Sequence, residues 1–327
     1  MESFWDAEIL SQQRSPYLPF LSGKYEVTPG LKPLPAVQGL SVDDEACIFQ
    51  FDDFFEIYAR NKQLCRRENL QKYILTHQLP VETEQEVVAF CVHRLLQEHP
   101  HLFELKPHPA GFLLVCRHTQ QKFILSPQYK LISHLSFYSN LWDALADQIQ
   151  EDVAIWQLAE HTDYLAAIHL CAPNYWSPAE KIGRPFSEVH LPVAGMENLR
   201  KQYRPMLEAI VRKGSFVRFA WGLTTDCRLN HHPEPPTSFD VNEWAGRQFD
   251  LQNPTLFVRV ERQTLTGFPA VNALMFTIRT YFQPVGQLDS EARLALRTAI
   301  ATMSEESLVY KGLRDSKDAI LAWMEGA

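Results

Sequence analysis

No two of the six cysteines (Cys47, Cys65, Cys91, Cys116, Cys171, Cys227) stand at CxxC or any short finger spacing. Neither a zinc finger nor a disulfide framework is therefore indicated, and the thiols read as reduced. Nowhere does the chain hold about 18 uninterrupted apolar residues, the length a bilayer span requires. Its opening, MESFWDAEILSQQRSPYLPF, puts acids before apolar residues and has no basic stretch ahead of an apolar run, so it does not read as a secretory signal. A basic face is lacking as well: the formal charge is -8 and the lysines and arginines are scattered, whereas a phosphate backbone needs clustered cations. These absences point to a cytoplasmic protein that binds neither nucleic acid nor membrane. Also missing are GxGxxG after a strand, GxxxxGK[ST], GxSxG and HExxH, which removes support from nucleotide-phosphate and hydrolase readings. Internal repeats and low-complexity tracts are absent.

What is present is apolar area. Hydrophobic residues make up 46% of the 327 and aromatics 12%, with Phe 20 and Trp 7, enough to build a deep core and to line a pocket for a flat ring. The pattern divides the chain into four stretches of what is expected to be one compact unit. Residues 1–40 form an extended arm, proline- and glycine-rich from 14 onward and anchored by Tyr17, Phe20 and Tyr25. Residues 41–160 read as mainly helical: helices over 51–77 and 83–98, two short strands within 111–125, and a helix over 136–158 carried by Leu141, Leu145, Ile149 and Val153. Residues 161–285 read as a sheet with short helices on one side. Its strands are 164–171, 216–223, 255–265 and 273–282; its helices begin at Ser177-Pro178, at FSEVH and over 196–213, the last with a kink at Pro205. The polar stretch 226–254 reads as a surface excursion, and 286–327 as C-terminal helices. The expected class is α+β, an antiparallel sheet with flanking helices and a mainly helical N-terminal portion packed on it.

Chemistry concentrates on the strands. In TLFVRVERQTL (255–265) the alternation of side chains puts Phe257, Arg259, Glu261 and Gln263 on one face. If the next strand pairs across the loop near Pro269, Arg259 falls opposite Arg279 and Glu261 opposite Thr277. Such a row fits either an ion-pair ladder on a wet face or a lined pocket. Arg218 interrupts the apolar run Phe216-Val217-Arg218-Phe219, where a rim position is the ordinary explanation. His190, in PFSEVHLPV, is either a satisfied core histidine or a ligand. His231-His232 is the weaker metal candidate, because adjacent side chains in a proline-rich loop point apart and no third ligand is spaced for closure.

Several strings occur together and in order: CAPNYWSPAEKIGRPFSEVHLPV (171–193), FVRFAWGL (216–223), RVERQTL (259–265) and FTIRTYF (276–282). Through them the chain resembles the haem-dependent oxidative N-demethylase alpha-subunit family. Weaker echoes, GKYEVTPGLKPL (23–34), QEDVAIWQL (150–158) and YKGL (310–313), extend the resemblance over most of the length. It implies a PAS-like fold holding haem b, and an oxygenase-type subunit that oxidises a small secondary amine such as dimethylamine with O2, giving a primary amine and formaldehyde. Electrons would come from a separate NADPH-dependent reductase carrying FMN and a 2Fe-2S cluster, for which this chain has no cysteine pattern.

By the same resemblance His190, within Val189-His190-Leu191-Pro192-Val193, matches the proximal iron ligand. Arg218 and Glu261 match polar positions on the distal side, where a cation offsets negative charge gathering on oxygen and a carboxylate holds an ammonium group. Arg259 and Arg279 match partners of the haem propionates or of Glu261, and Trp221 a residue lining the cofactor. The family's strand carries Asn before this Trp where the chain has Ala220, and its Met-Gly-Leu appears as Pro29-Gly30-Leu31. Two other functions stay open at this point: a haem-based gas or redox sensor, against which no coiled-coil linker or output domain is attached, and a haem carrier or scaffold, for which Cys171 offers an alternative thiolate ligand.

Overall fold

The computed structural model describes residues 9–34, 44–132, 137–237 and 239–326. In chain order the first half contains β1 (Lys32–Pro33), α1 (Phe55–Tyr73), β2 (Ile74–Thr76), α2 (Val81–Glu98), β3 (Phe103–His108), β4 (Gly111–Cys116), β5 (Gln121–Leu125), α3 (Leu141–Ala146) and β6 (Asp152–Leu158). The second half contains β7 (Asp163–His169), α4 (Phe186–Val189), α5 (Glu197–Lys201), α6 (Tyr203–Lys213), β8 (Ser215–Thr224), α7 (Val241–Ala245), β9 (Phe257–Phe268) and β10 (Ala273–Pro284). Helices α8 (Ser290–Ala301), α9 (Glu305–Lys311) and α10 (Lys317–Gly326) close the chain. An antiparallel sheet of seven strands, ordered β1-β8-β9-β10-β6-β7-β2, forms the centre, and β3-β4-β5 make a second, smaller sheet. The α+β class read from the pattern is therefore observed. Among the described residues no helix is long and apolar enough to cross a membrane.

Each face of the large sheet is covered. Trp156, Leu265, Leu274 and Ile278 on one face pack against Phe186 and Val189 of α4 and Leu207, Ile210 and Val211 of α6. On the other face Val153, Ile155 and Met275 meet α2, α3 and the small sheet, while Trp221, Val258, Val260 and Tyr281 meet α8 to α10. Burial on both sides explains why β6, DVAIWQL, does not alternate: all seven residues are buried. The helix expected over 136–158 is accordingly corrected. It ends at Ala146, and Ile149 and Val153 extend its apolar series in spacing alone.

Other expectations hold or shift by short steps. Tyr17 packs on Phe219 and Tyr281, and Phe20 and Tyr25 on Trp221, so the arm is anchored where expected; residues 1–8 and 35–40 of it lie outside the described residues. The helix of 196–213 is two helices, broken at Gln202 rather than at Pro205, which sits in the first turn of α6 where its missing N–H costs nothing. Gly267 lies within β9, not in the loop. A Cβ there would fall 2.3 Å from the Ile210 carbonyl oxygen and 2.4 Å from that of Val211, so glycine lets the last turns of α6 rest on the sheet.

Candidate functional site

Register decides which side chains meet. Strand β8 pairs with β9 so that Arg218 faces Gln263, Ala220 faces Glu261 and Gly222 faces Arg259. On the far side of β9, Thr280 faces Glu261 and Phe282 faces Arg259. Arg218, Arg259, Glu261 and Gln263 therefore share the face that α4 and α6 cover. The expected pairing of Arg259 with Arg279 and of Glu261 with Thr277 is wrong by three positions: Arg279 pairs with Arg262. An odd shift reverses the side-chain face, so Arg279 points to the opposite side, where Nη2 donates to Asp52 at 2.7 Å and the guanidinium lies 3.9 Å from the ring centre of Tyr58. Trp221 shares that opposite side, packed against Phe20 and Tyr25. The structure thus brings four of the six candidates to one side and leaves Arg279 and Trp221 behind the sheet.

Glu261 is held from two sides: Asn174 Nδ2 donates to Oε1 at 3.1 Å and Gln263 Nε2 to Oε2 at 2.9 Å. Arg259 Nε lies 3.9 Å from Oε1 without hydrogen bonding to it. Arg218 has a second unpartnered buried Nε; Nη2 reaches the Thr28 carbonyl at 3.4 Å, and burial pulls its pKa down while Glu261 pulls it up. Two lysines missed in the sequence complete the setting. Burial pushes Lys181 down to about 8, opposed by Glu180 and Glu261, and its Nζ donates to the carbonyl of Val189. Lys311 is likewise pushed down to about 8 by burial, against Glu261, and donates to the Trp221 carbonyl at 2.8 Å. Lys311 belongs to the YKGL string, so its signal was present in the sequence without a role attached to it.

The turn bearing His190 is fixed by one buried carboxylate. Asp163 Oδ2 accepts from Trp156 Nε1 and from the backbone N–H of Phe186, both at 2.7 Å, and Oδ1 accepts from the Tyr203 hydroxyl at 2.6 Å. One aspartate thereby ties α4 and α6 to the sheet. His190 follows α4, its ring stacked on Phe186 with centroids 4.0 Å apart. Its Nδ1 lies 2.9 Å from the Phe186 carbonyl oxygen. A carbonyl only accepts, so Nδ1 carries the proton and Nε2 keeps its lone pair. Burial pushes the pKa down to about 4, with Lys181 and Arg218 acting in the same sense and the Phe186 carbonyl opposing. The ring is neutral at pH 7.

The model of the family described as haem-dependent oxidative N-demethylase, alpha subunit-like, matches residues 39–321. The chain belongs to this family. Its residues suit the group for which the N-demethylase alpha-subunit-like family is named. A neutral, half-buried imidazole with one nitrogen oriented by a carbonyl is what an iron ligand requires. Arg218 and the two lysines outnumber Glu261, and the unpartnered Nε–H of Arg218 leaves capacity for the carboxylates a haem carries. Cys171 is less suited: it is buried with Cys65, Tyr73 and Trp244 in a cluster away from Phe186 and Trp156. Two other buried groups of ligand-type residues, Asp152 with His169 and Cys171, and Cys47 with Glu98 and His99, have carboxylates already engaged by backbone N–H groups of Cys171, Ala172, Ile48 and Phe49.

The stretch 226–254 is a surface excursion only in part: 240–254 is largely exposed apart from Trp244, but its start is not. Cys227 to His232 are buried, and His231 makes contact with Arg259. Polar composition hid this segment, because its apolar cover comes from elsewhere in the chain.

Proposed function

We propose that the protein is the haem-binding, oxygenase-type subunit of an amine N-demethylase, with a PAS-like core, acting on a small secondary amine such as dimethylamine. Electrons would reach it from a separate reductase carrying FMN and a 2Fe-2S cluster. The observation that carries this reading is the pairing of a neutral, half-buried histidine with a carboxylate and an arginine on the facing sheet. His190 would hold the iron through Nε2; Arg218 offers donors to the propionates, while Arg259 is the neighbour of Glu261. Bound haem supplies dioxygen binding and the oxidation of the N-methyl carbon.

The chain's own groups do the rest. Glu261, oriented by Asn174 and Gln263, accepts N–H bonds from the alkylammonium and sets which carbon faces the reacting side. Arg218 presents donors where negative charge gathers on oxygen. Lys181 can hold or release a proton near neutrality, being pushed to about 8. Ile278 and Leu265, with Trp156 and Phe186, keep water from that face.

Replacing Glu261 with Gln keeps the shape and removes the charge. Turnover of dimethylamine should fall at least a hundredfold, on the order expected for a positioned polar group, with haem content unchanged. Normal turnover in this variant contradicts the assignment of Glu261.

A further inference from the structure

Two segments distant in sequence run side by side at the Arg259 end of the site. The His231 N–H donates to the Pro173 carbonyl at 3.1 Å, and the Tyr175 N–H to the His231 carbonyl at 3.0 Å. Asn174, between these bonds, reaches Glu261 Oε1. The backbone of His231 therefore sets one of the two groups beside that oxygen.

Its side chain sets the other. Arg259 Nη1 lies 3.0 Å from His231 Nδ1. A guanidinium has donors only, so Nδ1 is the acceptor and the ring proton is on Nε2, which lies 2.9 Å from Asp226 Oδ1. Arg228 braces Asp226 through Nε and Nη2, each at 3.1 Å. Gly246 closes the back: a Cβ there would sit 2.5 Å from Asp226 Oδ2. Tyr175, at φ 62°, stacks on the imidazole with centroids 4.8 Å apart, and Arg247 lies 3.3 Å from the centre of that tyrosine ring. Burial holds the His231 pKa at about 4 against the pull of Asp226, so the ring stays neutral.

The remaining terminal donors of Arg259 are also committed, Nη1 to the Leu229 carbonyl at 3.0 Å and Nη2 to the Ala172 carbonyl at 2.5 Å and Thr280 Oγ1 at 3.4 Å. Only Nε is turned toward Glu261. A bidentate arginine–carboxylate pair would fill the acceptor sites of Glu261 and neutralise it. We infer that Asp226 and His231 form a positioning dyad that withholds Arg259 from such a pair, so that Glu261 stays in one orientation yet remains open to a cationic ligand. This rests on the reading of Glu261 as the acceptor of an alkylammonium.

The test has two parts. With 15N-histidine in the haem-free protein, His231 should appear as the neutral Nε2–H tautomer at pH 7; the Nδ1–H tautomer or an imidazolium overturns the dyad and needs no variant. Calorimetric titration of dimethylammonium chloride into haem-loaded His231→Leu should show affinity weakened about tenfold or more, the scale of one charge-assisted hydrogen bond. His231→Gln, whose amide oxygen can still accept from Nη1, should recover part of that loss. Wild-type affinity in His231→Leu overturns the inference, provided Glu261→Gln loses binding. If Glu261→Gln also binds as wild type, the ligand reading of Glu261 fails and the dyad's proposed purpose fails with it, while the tautomer still reports whether the dyad exists.

Discussion

Protonation governs whether His190 can ligate. In an unfolded chain the ring titrates near 6.5 and in the folded protein near 4. Between those values the unfolded state binds more protons, so the stability due to this residue is complete above about pH 6.5 and is withdrawn as pH falls toward 4. The full difference is on the order of 3 kcal/mol at most. Urea melts of the haem-free protein at pH 7.5 and 4.5 should show wild type losing more stability on acidification than His190→Gln; equal losses would contradict a ring held neutral in the fold. Of the residues at the site, Glu261 and Arg218 were legible because charges stand out in β-rich runs. His231 was not, since a histidine in a polar, proline-rich stretch gives no sign of burial until residues 172–175 are placed against it.

At the scale of elements, two residues hold the helices over the sheet. Truncating Asp163 to Ala would leave Trp156 Nε1, the Phe186 N–H and the Tyr203 hydroxyl without their acceptor, at a cost of about 3 kcal/mol or more. Differential scanning calorimetry should register the loss, and haem uptake should weaken because the His190 turn is released; an unchanged melting temperature would remove Asp163 from this role. In Gly267→Ala the new methyl meets two carbonyl oxygens of α6, costing about 2 kcal/mol from forced displacement, measurable as a lower urea midpoint with an unchanged slope. Strands β7 to β10 were readable from composition and from their turns, as were α1 and α2 from helical spacing. Strand β6 was hidden by burial on both faces, which erases the alternation that marks a strand. Register could not be read either: placing Arg279 depended on whether Gly267 lay in the loop or in the strand, and that choice sent the side chain to the other face.

For the whole molecule, the consequence is a fold whose two halves meet through one sheet. β6 and β7, following the helices and small sheet of the first half, join β8 to β10 edge to edge, while α8 to α10 deliver Lys311 to the site from the end of the chain. A ligand bound between His190 and the sheet would draw on nearly every part of the chain, so haem should raise the melting temperature by mass action; His190→Ala should abolish most of that rise. The α+β layout was legible because apolar area and strand grammar are local properties, whereas the convergence of residues 172–175, 226–231 and 311 is a product of topology. The most direct measurement is the ultraviolet–visible spectrum of protein expressed with a haem precursor, oxidised and reduced, with and without dimethylamine. A stoichiometric Soret band that shifts on amine addition and loses its histidine-ligated form in His190→Ala is the predicted result. Absence of the band, or a band in His190→Ala identical to wild type, would contradict the account.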